Sequence, residues 1–272
     1  MKGRVLICAG SDSGGGAGIQ ADIKAVTALG GFAMTAITAL TAQNTLGVQG
    51  VFPVPTDFIA AQIASVMDDL GADAIKTGML HDTPTINLVC DELLARAPGV
   101  PLVADPVMVA KGGHRLLDPE AVETLMRRLM PMVTVLTPNI PEAEVLAGMD
   151  IRTEADMLRA AEALLTLGVP AVLLKGGHME GEVLVDLLAT PDGVTRFEEL
   201  RIDTPHTHGT GCTLASAIAT GLAQGMPLLP AVERARRYVR AAIQSAPGFG
   251  AGHGPLDHGV TVDPARITAG GV

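Results

Sequence analysis

The segment His-Gly-Thr-Gly-Cys-Thr, residues 208 to 213, combines a glycine-rich turn and a thiol directly before a predicted helix. The first N–H groups of a helix have no partner within it, so a helix start binds negative groups, phosphates in particular. The amides of Thr210, Gly211 and Cys212 are therefore candidates to surround a phosphoryl group during its transfer. Two alternatives stay open: a tight loop that needs glycine only for its backbone angles, and a nucleophilic thiol at Cys212.

Polar side chains at the ends of three other predicted strands point to the same chemistry. Asp105 ends one strand, Asn139 and Glu142 follow a second across Thr-Pro, and Lys175 closes a third. Because the carboxyl ends of parallel strands meet at one rim, we expect these four side chains to lie together. Two carboxylates suit a hydrated Mg²⁺, and an ammonium neutralises phosphate charge. Each residue alone is more often a cap or a surface charge, so the prediction rests on the combination.

Other nucleotide-binding motifs fit poorly. Residues 16 to 21 match G-x-G-x-x-A, but the glycines do not directly follow the preceding strand, and the acidic residue expected about 20 positions later is missing, since none appears between Asp22 and Asp57. The chain has no G-x-x-x-x-G-K-[ST], because its Lys-Gly-Gly segments at 111 and 175 run in the reverse order. Any nucleotide is therefore expected at the 208–213 turn.

A fold that brings these strand ends together is indicated by alternating strand and helix patterns. The predicted strands are short apolar runs at Val5–Ala9, Met34–Thr41, Ala74–Thr77, Leu102–Asp105, Thr134–Thr137 and Ala171–Lys175. Helix starts are predicted at Thr83-Pro84, at Asp118-Pro119 and at a capping box of Thr153 with Asp156. In a helix between the second and third strands, Phe58, Ile59, Ile63, Val66, Met67 and Leu70 recur at helical spacing and predict a core stripe.

The last third of the chain departs from this alternation. Val183–Ala189 and Val194–Ile202 flank Thr-Pro-Asp-Gly, which predicts an antiparallel hairpin at the sheet edge, and two helices follow from about Gly211 and Pro230. We therefore predict one domain over residues 1–272: a three-layer α/β fold with a mostly parallel central sheet flanked by helices. The segment from Gly248 is expected to be either a loose end or a loop over a ligand.

Composition excludes several classes of function. A net charge of −10 without a basic run disfavours nucleic acid as a partner. Three cysteines, without metal-ligand spacing, favour a reducing cytoplasm, and we expect no signal peptide. An uncharged stretch between Lys24 and Asp57 is interrupted by glycines, Gln43 and Asn44, so we expect a buried strand there and no membrane partner.

Several ordered motifs resemble one family. They are Ala-Gly-Ser-Asp at 9, Gly-Gly-Ala-Gly-Ile-Gln-Ala-Asp at 15, Thr-Ala-Gln-Asn-Thr at 41, Lys-Thr-Gly-Met-Leu at 76, Asp-Pro-Val-Met-Val-Ala-Lys at 105, Thr-Pro-Asn at 137 with Glu142, Lys-Gly-Gly-His at 175, the 208–213 turn and Gly-His-Gly-Pro-Leu-Asp-His at 252. Together they resemble the hydroxymethylpyrimidine/phosphomethylpyrimidine kinases of thiamine biosynthesis, within the ribokinase-like superfamily. The resemblance implies ATP- and Mg²⁺-dependent phosphorylation of 4-amino-5-hydroxymethyl-2-methylpyrimidine and of its monophosphate, usually by a homodimer.

The resemblance also implies roles for individual residues. The pyrimidine would be bound by Gln43, whose carboxamide offers a donor and an acceptor side by side, with Asp22, Gly10, Met79 and Val107 around the ring. On the nucleotide side, Asn139, Lys175 and Thr210 would contact phosphates, Glu142 and Asp105 would lie on the metal's water shell, and Gly209 and Gly211 would bracket the anion site. The alternatives are a polar strand end for Gln43, a surface charge for Asp22, and core packing for Met79 and Val107.

Cys212 stands where many sugar kinases of this superfamily have an aspartate base. A helix start lowers the pKa of a thiol, so we expect some thiolate that accepts the hydroxyl proton, or else a compact thiol that only lets the ring approach. His114 and Gly112 depart from the family pattern, which leaves the flap over residues 111–115 undetermined. His178 and His208 are expected to be framework groups, and His81, His206 and His258 to lie in exposed loops.

Three rival functions remain. A pyridoxal or pyridoxine kinase on the same scaffold is the nearest. A thiol hydrolase would use Cys212 with His208 or His206 as base. A non-catalytic pyrimidine sensor is disfavoured by the intact set of Lys175, Asn139 and Glu142.

Overall fold

A computed structural model describes residues 3–110, 113–179, 181–263 and 265. The strands are β1 Arg4–Ala9, β2 Phe32–Ile37, β3 Ala39–Asn44, β4 Gly47–Pro53, β5 Ala74–Thr77, β6 Leu102–Ala104, β7 Val135–Leu136, β8 Val172–Lys175, β9 Val183–Thr190 and β10 Gly193–Leu200. The helices are α1 Gly18–Ala28, α2 Thr56–Asp69, α3 Thr83–Arg96, α4 Ala121–Thr124, α5 Ile140–Ala147, α6 Glu154–Leu165, α7 Thr210–Ala223 and α8 Leu228–Gln244.

The central sheet has eight strands in the order β10-β9-β8-β7-β6-β5-β1-β2. The pairings from β2 to β8 are parallel, and β8-β9 and β9-β10 are antiparallel. The predicted three-layer fold, with its mostly parallel sheet and its edge hairpin, is confirmed.

Helices cover both faces of the sheet, and this explains the unbroken apolar strands. In β1, Leu6 and Cys8 lie in a core shared with α2 to α6, whereas Val5 and Ile7 lie in a second core shared with α1, α7 and α8. Successive side chains of a strand point to opposite faces, so a strand with two covered faces is apolar throughout.

Two helix starts differ from the prediction. α3 is capped by Asp82, not Thr83: the Asp82 carboxylate accepts a hydrogen bond of 2.9 Å from the Thr85 amide. Asp118-Pro119 forms a turn closed by the Ala121 amide on the Asp118 carbonyl, and α4 begins only afterwards. The capping box of Thr153 and Asp156 is confirmed.

The predicted strand Met34–Thr41 is two strands. The chain leaves the sheet at Thr38, whose hydroxyl donates to the Met79 carbonyl, and β3 then pairs with β4 as a separate two-stranded sheet. This hairpin was not predicted, although Asn44 to Gly47 is a turn signal in which the Asn44 side chain accepts a hydrogen bond from the Leu46 amide.

The stripe on α2 is core only in part. Ile59 and Ile63 are fully buried and Val66 and Met67 pack against the core, but Phe58 is 61% exposed and Leu70 is 42% exposed. None of the described helices is long and apolar enough to span a membrane.

The segment from Gly248 packs against the molecule. The His253 amide donates to the Thr45 carbonyl, and Pro255 bridges to His208. Of the two predicted possibilities, the structure supports the loop over the site.

Candidate active site

The carboxyl ends of β1, β5, β6, β7 and β8 face the starts of α1, α5 and α7, and two cavities open at this rim. One has a volume of about 540 Å³ and lies under the β3-β4 hairpin. The other, of about 420 Å³, lies between the edge hairpin and α8. The two share the lining residues Asn139, Lys175, His178, Thr207, Thr210 and Gly211. A ligand in each cavity would therefore meet its neighbour beside Lys175.

The larger cavity collects all but one of the predicted site residues. Its lining includes Gly10, Gln43, Met79, Asp105, Val107, Asn139, Glu142, Lys175, Gly209, Thr210, Gly211 and Cys212. The exception is Asp22, which is fully buried behind the cavity wall.

Asp22 belongs to a buried ion pair. Its carboxylate accepts from Lys76 Nζ at 2.9 and 3.0 Å and from Ser216 Oγ at 2.7 Å. Burial disfavours the charged ammonium, but the Asp22 carboxylate, together with the charges of Cys212 and Asp105, outweighs burial and raises the pKa of Lys76. Because Asp22 does not line the cavity, its expected contact with the ring is wrong, and because Asp22 is fully buried, the alternative of a surface charge is also wrong.

Lys76 itself was missed as a functional candidate. It lines the larger cavity from β5 and lies close enough to Cys212 and Asp105 for their charges to affect it. A lysine inside an apolar strand run is an unusual choice, and that was the available signal.

The loop between β1 and α1 is fixed by Asp12. The carboxylate accepts from the amides of Gly14 and Ala17 at 2.8 Å and of Gly16 at 3.1 Å, and it lies 2.8 Å from His208 Nε2. Burial acts against the charge of Asp12, but these bonds hold its pKa below the ordinary value. Asp12 therefore ties this loop to the 208–213 turn.

The hairpin places Gln43 over the cavity. Ala39, Thr41 and Gln43 are the alternate residues of β3 that face inward. The Ser13 hydroxyl donates to the Gln43 carbonyl at 2.9 Å and accepts from its amide at 2.8 Å, so the hairpin is fastened to the loop after β1.

The start of α7 requires glycine at residue 209 and leaves little free space beside residue 211. Gly209 has φ of 83°, and a Cβ there would lie 1.8 Å from the Gly16 carbonyl oxygen. A Cβ at Gly211 would lie 3.2 Å from Lys175 Nζ and 3.5 Å from Asp105. Bare backbone at Gly211 thus keeps open the space beside the ammonium.

Lys175 and two carboxylates form the charged centre. Lys175 Nζ lies 3.2 Å from Asp105 Oδ1, and despite burial the charges of Asp105 and Glu142 raise the pKa of Lys175. Glu142 and Asn139 form a reciprocal capping box at the start of α5. Burial raises the pKa of Glu142 to about 7, with Lys175 acting against the shift.

Cys212 does not have the expected thiolate character. Burial, reinforced by the nearby carboxylates of Asp105 and Asp22, raises the pKa of the Cys212 thiol to about 12, although Lys76 and the Gly18 amide act in the opposite direction. The predicted lowering by the helix start is wrong, because these effects outweigh it. A neutral thiol is a poor nucleophile, and His208 is already bonded to Asp12, which disfavours a thiol hydrolase.

The smaller cavity is lined by residues that were not predicted to belong to the site. The Asp186 carboxylate accepts from the Gly176 amide at 2.9 Å and from Arg236 Nε at 3.0 Å. The Arg201 guanidinium donates to the carbonyls of Gly177, Met179 and Gly181. These contacts hold the loop that follows Lys175.

The histidines divide differently from the prediction. His208 is a framework group as expected. His258 is buried, with Nε2 2.9 Å from Thr213 Oγ1, because the last segment packs on α7. His81 and His206 are half-buried. Lys111 and Gly112 of the flap lie outside the described residues, whereas His114 is exposed beside them.

Comparisons with known proteins place this geometry in context. The family model described as phosphomethylpyrimidine kinase matches residues 12–257. The thiamine biosynthesis bifunctional protein ThiED of Geobacter sulfurreducens is 51% identical over 97% of this chain, which spans 54% of that longer protein. The hydroxymethylpyrimidine/phosphomethylpyrimidine kinase of Streptomyces coelicolor is 49% identical, covering 94% of each chain. A crystal structure of an ADP complex of Bacillus subtilis pyridoxal kinase is similar with a TM-score of 0.89 and 39% identity, over 96% of this chain and 98% of that one.

Proposed function

The chain belongs to the phosphomethylpyrimidine kinase family, and from this premise we propose that it phosphorylates 4-amino-5-hydroxymethyl-2-methylpyrimidine with ATP. A second transfer converts the monophosphate to the diphosphate for thiamine biosynthesis. The observation that carries the proposal is the meeting of two cavities at Lys175 and the start of α7. The pyrimidine occupies the larger cavity and ATP the smaller one.

The pyrimidine is bound between the hairpin and the sheet. Gln43 contacts its amino and ring-nitrogen edge, and Gly10, Met79 and Val107 lie against the ring. A Cβ at Gly10 would be 3.0 Å from Met79 Sδ, so glycine leaves the room that a flat ring needs. Asp22 acts indirectly by fixing Lys76 beside the cavity.

ATP is bound through its phosphates at the shared rim. Asn139, Lys175 and Thr210 contact the phosphates, and the amides that follow Gly209 surround the terminal group. Phosphoryl transfer depends chiefly on positioning and charge neutralisation, which these donors supply. Loss of one aligned donor in such a site typically lowers the rate by roughly 10²- to 10³-fold.

The carboxylates fit a magnesium ion bound mainly through water and nucleotide. Within the described residues, no group of three or more His, Cys, Asp or Glu side chains could hold a metal, and Asp105 is already paired with Lys175. Mg²⁺ retains several waters and needs only one or two carboxylates beside the phosphates, a role for Glu142 and Asp105. When bound, the ion neutralises charge on the phosphate oxygens.

Cys212 contacts the hydroxyl group of the substrate, and it does so as a neutral thiol. Its sulfur accepts a weak hydrogen bond from the hydroxymethyl group and orients the oxygen toward the anion site. A loose transition state transfers the proton late, so a strong base is not required. Cys212 therefore matters for the placement of the hydroxyl oxygen, because a neutral thiol cannot take up the hydroxyl proton.

A phosphoryl-transfer assay tests the proposal. Hydroxymethylpyrimidine, its monophosphate and pyridoxal are compared in parallel, for the parent and for Cys212→Ala and Lys175→Met. We expect both pyrimidine products from the parent and severe losses in both variants. Absence of both products from the parent would refute the proposed function. High phosphoryl-transfer activity in Cys212→Ala would show that the thiol only fills space beside the substrate.

The second candidate function is that of a pyridoxal kinase. The observation in its favour is the similarity to the Bacillus subtilis pyridoxal kinase structure. The ratio of kcat/KM for the two alcohols decides between the functions, and we expect it to favour the pyrimidine because of the Gln43 carboxamide.

The enzyme acts as a homodimer in a reducing cytoplasm. Support for the dimer comes from Leu40 and Phe52, which are cross-strand partners on the outer face of the hairpin and are strongly exposed. Support for the compartment comes from Cys8, Cys90 and Cys212, all of which are free thiols.

A further inference from the structure

The carboxamide of Gln43 is held on both sides by polar groups of the cavity wall. The carboxamide nitrogen Nε2 is placed 3.4 Å from His208 Nε2, and the carboxamide oxygen Oε1 is placed 3.2 Å from the Thr41 hydroxyl oxygen. The oxygen and nitrogen of a carboxamide have nearly the same shape, so only the surrounding hydrogen bonds decide which atom lies at which end. For Gln43 this choice determines what the cavity can recognise.

The contact with His208 requires an acceptor at that end. Asp12 Oδ2 lies 2.8 Å from His208 Nε2 and also accepts from the amides of Gly16 and Ala17. An ionised carboxylate only accepts, so the hydrogen between the two groups belongs to His208 Nε2. A ring nitrogen that carries hydrogen cannot accept another hydrogen bond. The Gln43 nitrogen placed at this end would oppose one donor with another, so the carboxamide must be turned over and its carbonyl oxygen must face His208.

The contact with Thr41 leads independently to the same orientation. The Thr41 hydroxyl lies 2.8 Å from the Ser11 carbonyl oxygen, which is an acceptor only. The single hydroxyl hydrogen of Thr41 is therefore used by Ser11, and the hydroxyl oxygen is left as an acceptor for Gln43. The Gln43 atom on this side must then be the NH₂ group.

We infer that the Gln43 carboxamide points its oxygen toward His208 and its NH₂ toward Thr41, and that His208, oriented by Asp12, is a specificity-determining residue. This inference rests on the proposed function, because it concerns how Gln43 reads the substrate. At 3.4 Å the attraction between His208 and Gln43 is weak, so the selectivity comes chiefly from the donor clash in the reverse orientation. Thr41 is the second positioning residue.

The fixed carboxamide determines which pyrimidine edge fits. A 4-aminopyrimidine donates from its amino group and accepts at the adjacent ring nitrogen, so the amino group lies on the His208 side and the ring nitrogen on the Thr41 side. The 5-hydroxymethyl group neighbours the amino group and is thus directed toward the anion site that begins one residue after His208. A 4-oxo analogue, with hydrogen on the ring nitrogen, needs the opposite carboxamide and is rejected.

Two matched pairs of variants test this assignment. His208→Phe and Thr41→Val each remove one constraint, whereas His208→Gln keeps a donor for Asp12 and Thr41→Ser keeps the hydroxyl. The measurement is kcat/KM for the 4-amino substrate divided by kcat/KM for the 4-oxo analogue. We expect His208→Phe to lower this ratio by about 10- to 100-fold, the range expected when a mismatched buried polar pair is relieved, and His208→Gln to retain most of it. Likewise, Thr41→Val should lower this ratio, and Thr41→Ser should retain most of it.

The possible results separate this inference from the proposed function. If the parent fails to phosphorylate the 4-amino substrate, the function itself is wrong. If the parent is active and selective but His208→Phe keeps the parent's ratio while losing overall rate, His208 is only structural and the inference is overturned. Histidine ¹⁵N labelling gives a readout free of turnover: Nε2 of His208 should have the chemical shift of a protonated ring nitrogen, and an unprotonated Nε2 would contradict the assignment.

Discussion

At the scale of single residues, the thiol of Cys212 is surrounded by charges of both signs. Lys76 and the Gly18 amide favour the thiolate, whereas burial and the carboxylates of Asp105 and Asp22 favour the thiol and raise its pKa to about 12. Asp22 also holds the Lys76 ammonium by two contacts of 2.9 and 3.0 Å, so much of that positive charge is compensated. The free enzyme therefore holds Cys212 as a neutral thiol at physiological pH.

This charge state predicts slow alkylation of Cys212. An ordinary thiol is largely ionised by pH 9.5, but the Cys212 thiol should be ionised to well under 1% there, because each unit of pKa changes the ratio tenfold. We expect the rate of iodoacetamide labelling at Cys212, followed by peptide mass spectrometry, to keep rising with pH up to pH 10 without a plateau. Labelling that levels off near pH 7 would mean that the thiolate is populated after all.

Glu142 predicts how nucleotide binding depends on pH. Burial raises its pKa to about 7, so the carboxyl group is charged above pH 7 and neutral below it. Only the charged form attracts a hydrated Mg²⁺, so the apparent affinity for Mg·ATP should rise as pH increases from 6 to 8. Titration calorimetry should record this rise for the parent and a much flatter profile for Glu142→Gln. Equal pH profiles for the parent and Glu142→Gln would show that Glu142 does not act on the metal ion.

At the scale of elements, the start of α7 couples backbone geometry to the charged centre. Its amides and the Lys175 ammonium occupy one small region, and bare backbone at Gly211 keeps it open. Alanine is favoured over glycine within a helix by about 1 kcal/mol, so local stability and function make opposite demands at this position.

Gly211→Ala should therefore separate stability from activity. The added methyl group would lie 3.2 Å from Lys175 Nζ, in the space proposed for the transferring phosphate, so we expect kcat/KM to fall by about 10²-fold or more. The thermal midpoint should be unchanged or higher. Gly50→Ala is the matched control, since its Cβ would meet only Ala42, at 3.9 Å. Full activity in Gly211→Ala would place the phosphate elsewhere.

The last described segment is fastened to α7 by a buried imidazole. His258 Nε2 lies 2.9 Å from Thr213 Oγ1, and the Tyr238 hydroxyl donates to the His258 carbonyl at 2.8 Å. Burial lowers the pKa of His258 from 6.5 to about 4. The unfolded chain therefore binds a proton between these two values that the folded chain does not bind.

Stability should consequently fall as pH decreases through this window. The contribution of His258 is fully present above pH 6.5 and is lost progressively toward pH 4, and by pH 5 the loss is about 2 kcal/mol, at 1.36 kcal/mol per pKa unit. Urea unfolding at pH 7 and pH 5 measures this change. His258→Gln has no titrating group there and should show a smaller difference between the two pH values. An identical difference would assign the acid sensitivity to other residues.

Local sequence patterns predicted the strands of the central sheet that are covered by helices on both faces. The runs of β1, β5 and β8 are apolar because helices cover both sides, and this signal is contained in a few adjacent residues. The β3-β4 hairpin was missed because it leaves the sheet, so one of its faces is exposed and its alternation is broken by a bulge at Ala42 and Gln43.

At the scale of the whole molecule, topology accounts for how much of the site was predictable. Asp105, Asn139 and Lys175 end adjacent parallel strands, so their meeting follows from the strand pattern. The pairs Lys76–Asp22 and Asp12–His208 join residues that are 54 and 196 positions apart, and no local pattern specifies either contact. Charge states such as that of Cys212 depend on these distant pairs and require the structure.

For the proposed homodimer, we expect the two chains to associate through the outer face of the β3-β4 hairpin. Leu40 is 45% exposed and its cross-strand partner Phe52 is 64% exposed, whereas the inner face of the same hairpin covers the larger cavity. A second copy that covers this apolar face would also support Gln43 and Thr41 from behind, so association and substrate affinity should be linked.

The double variant Leu40→Glu/Phe52→Glu should therefore be a monomer by light scattering, with a raised KM for the pyrimidine. Leu94→Glu on α3, where Leu94 is 59% exposed, is the matched control and should remain a dimer with parent kinetics. A dimeric double variant would exclude this face as the interface, and a monomeric variant with the parent KM would show that the hairpin holds Gln43 without help from a partner.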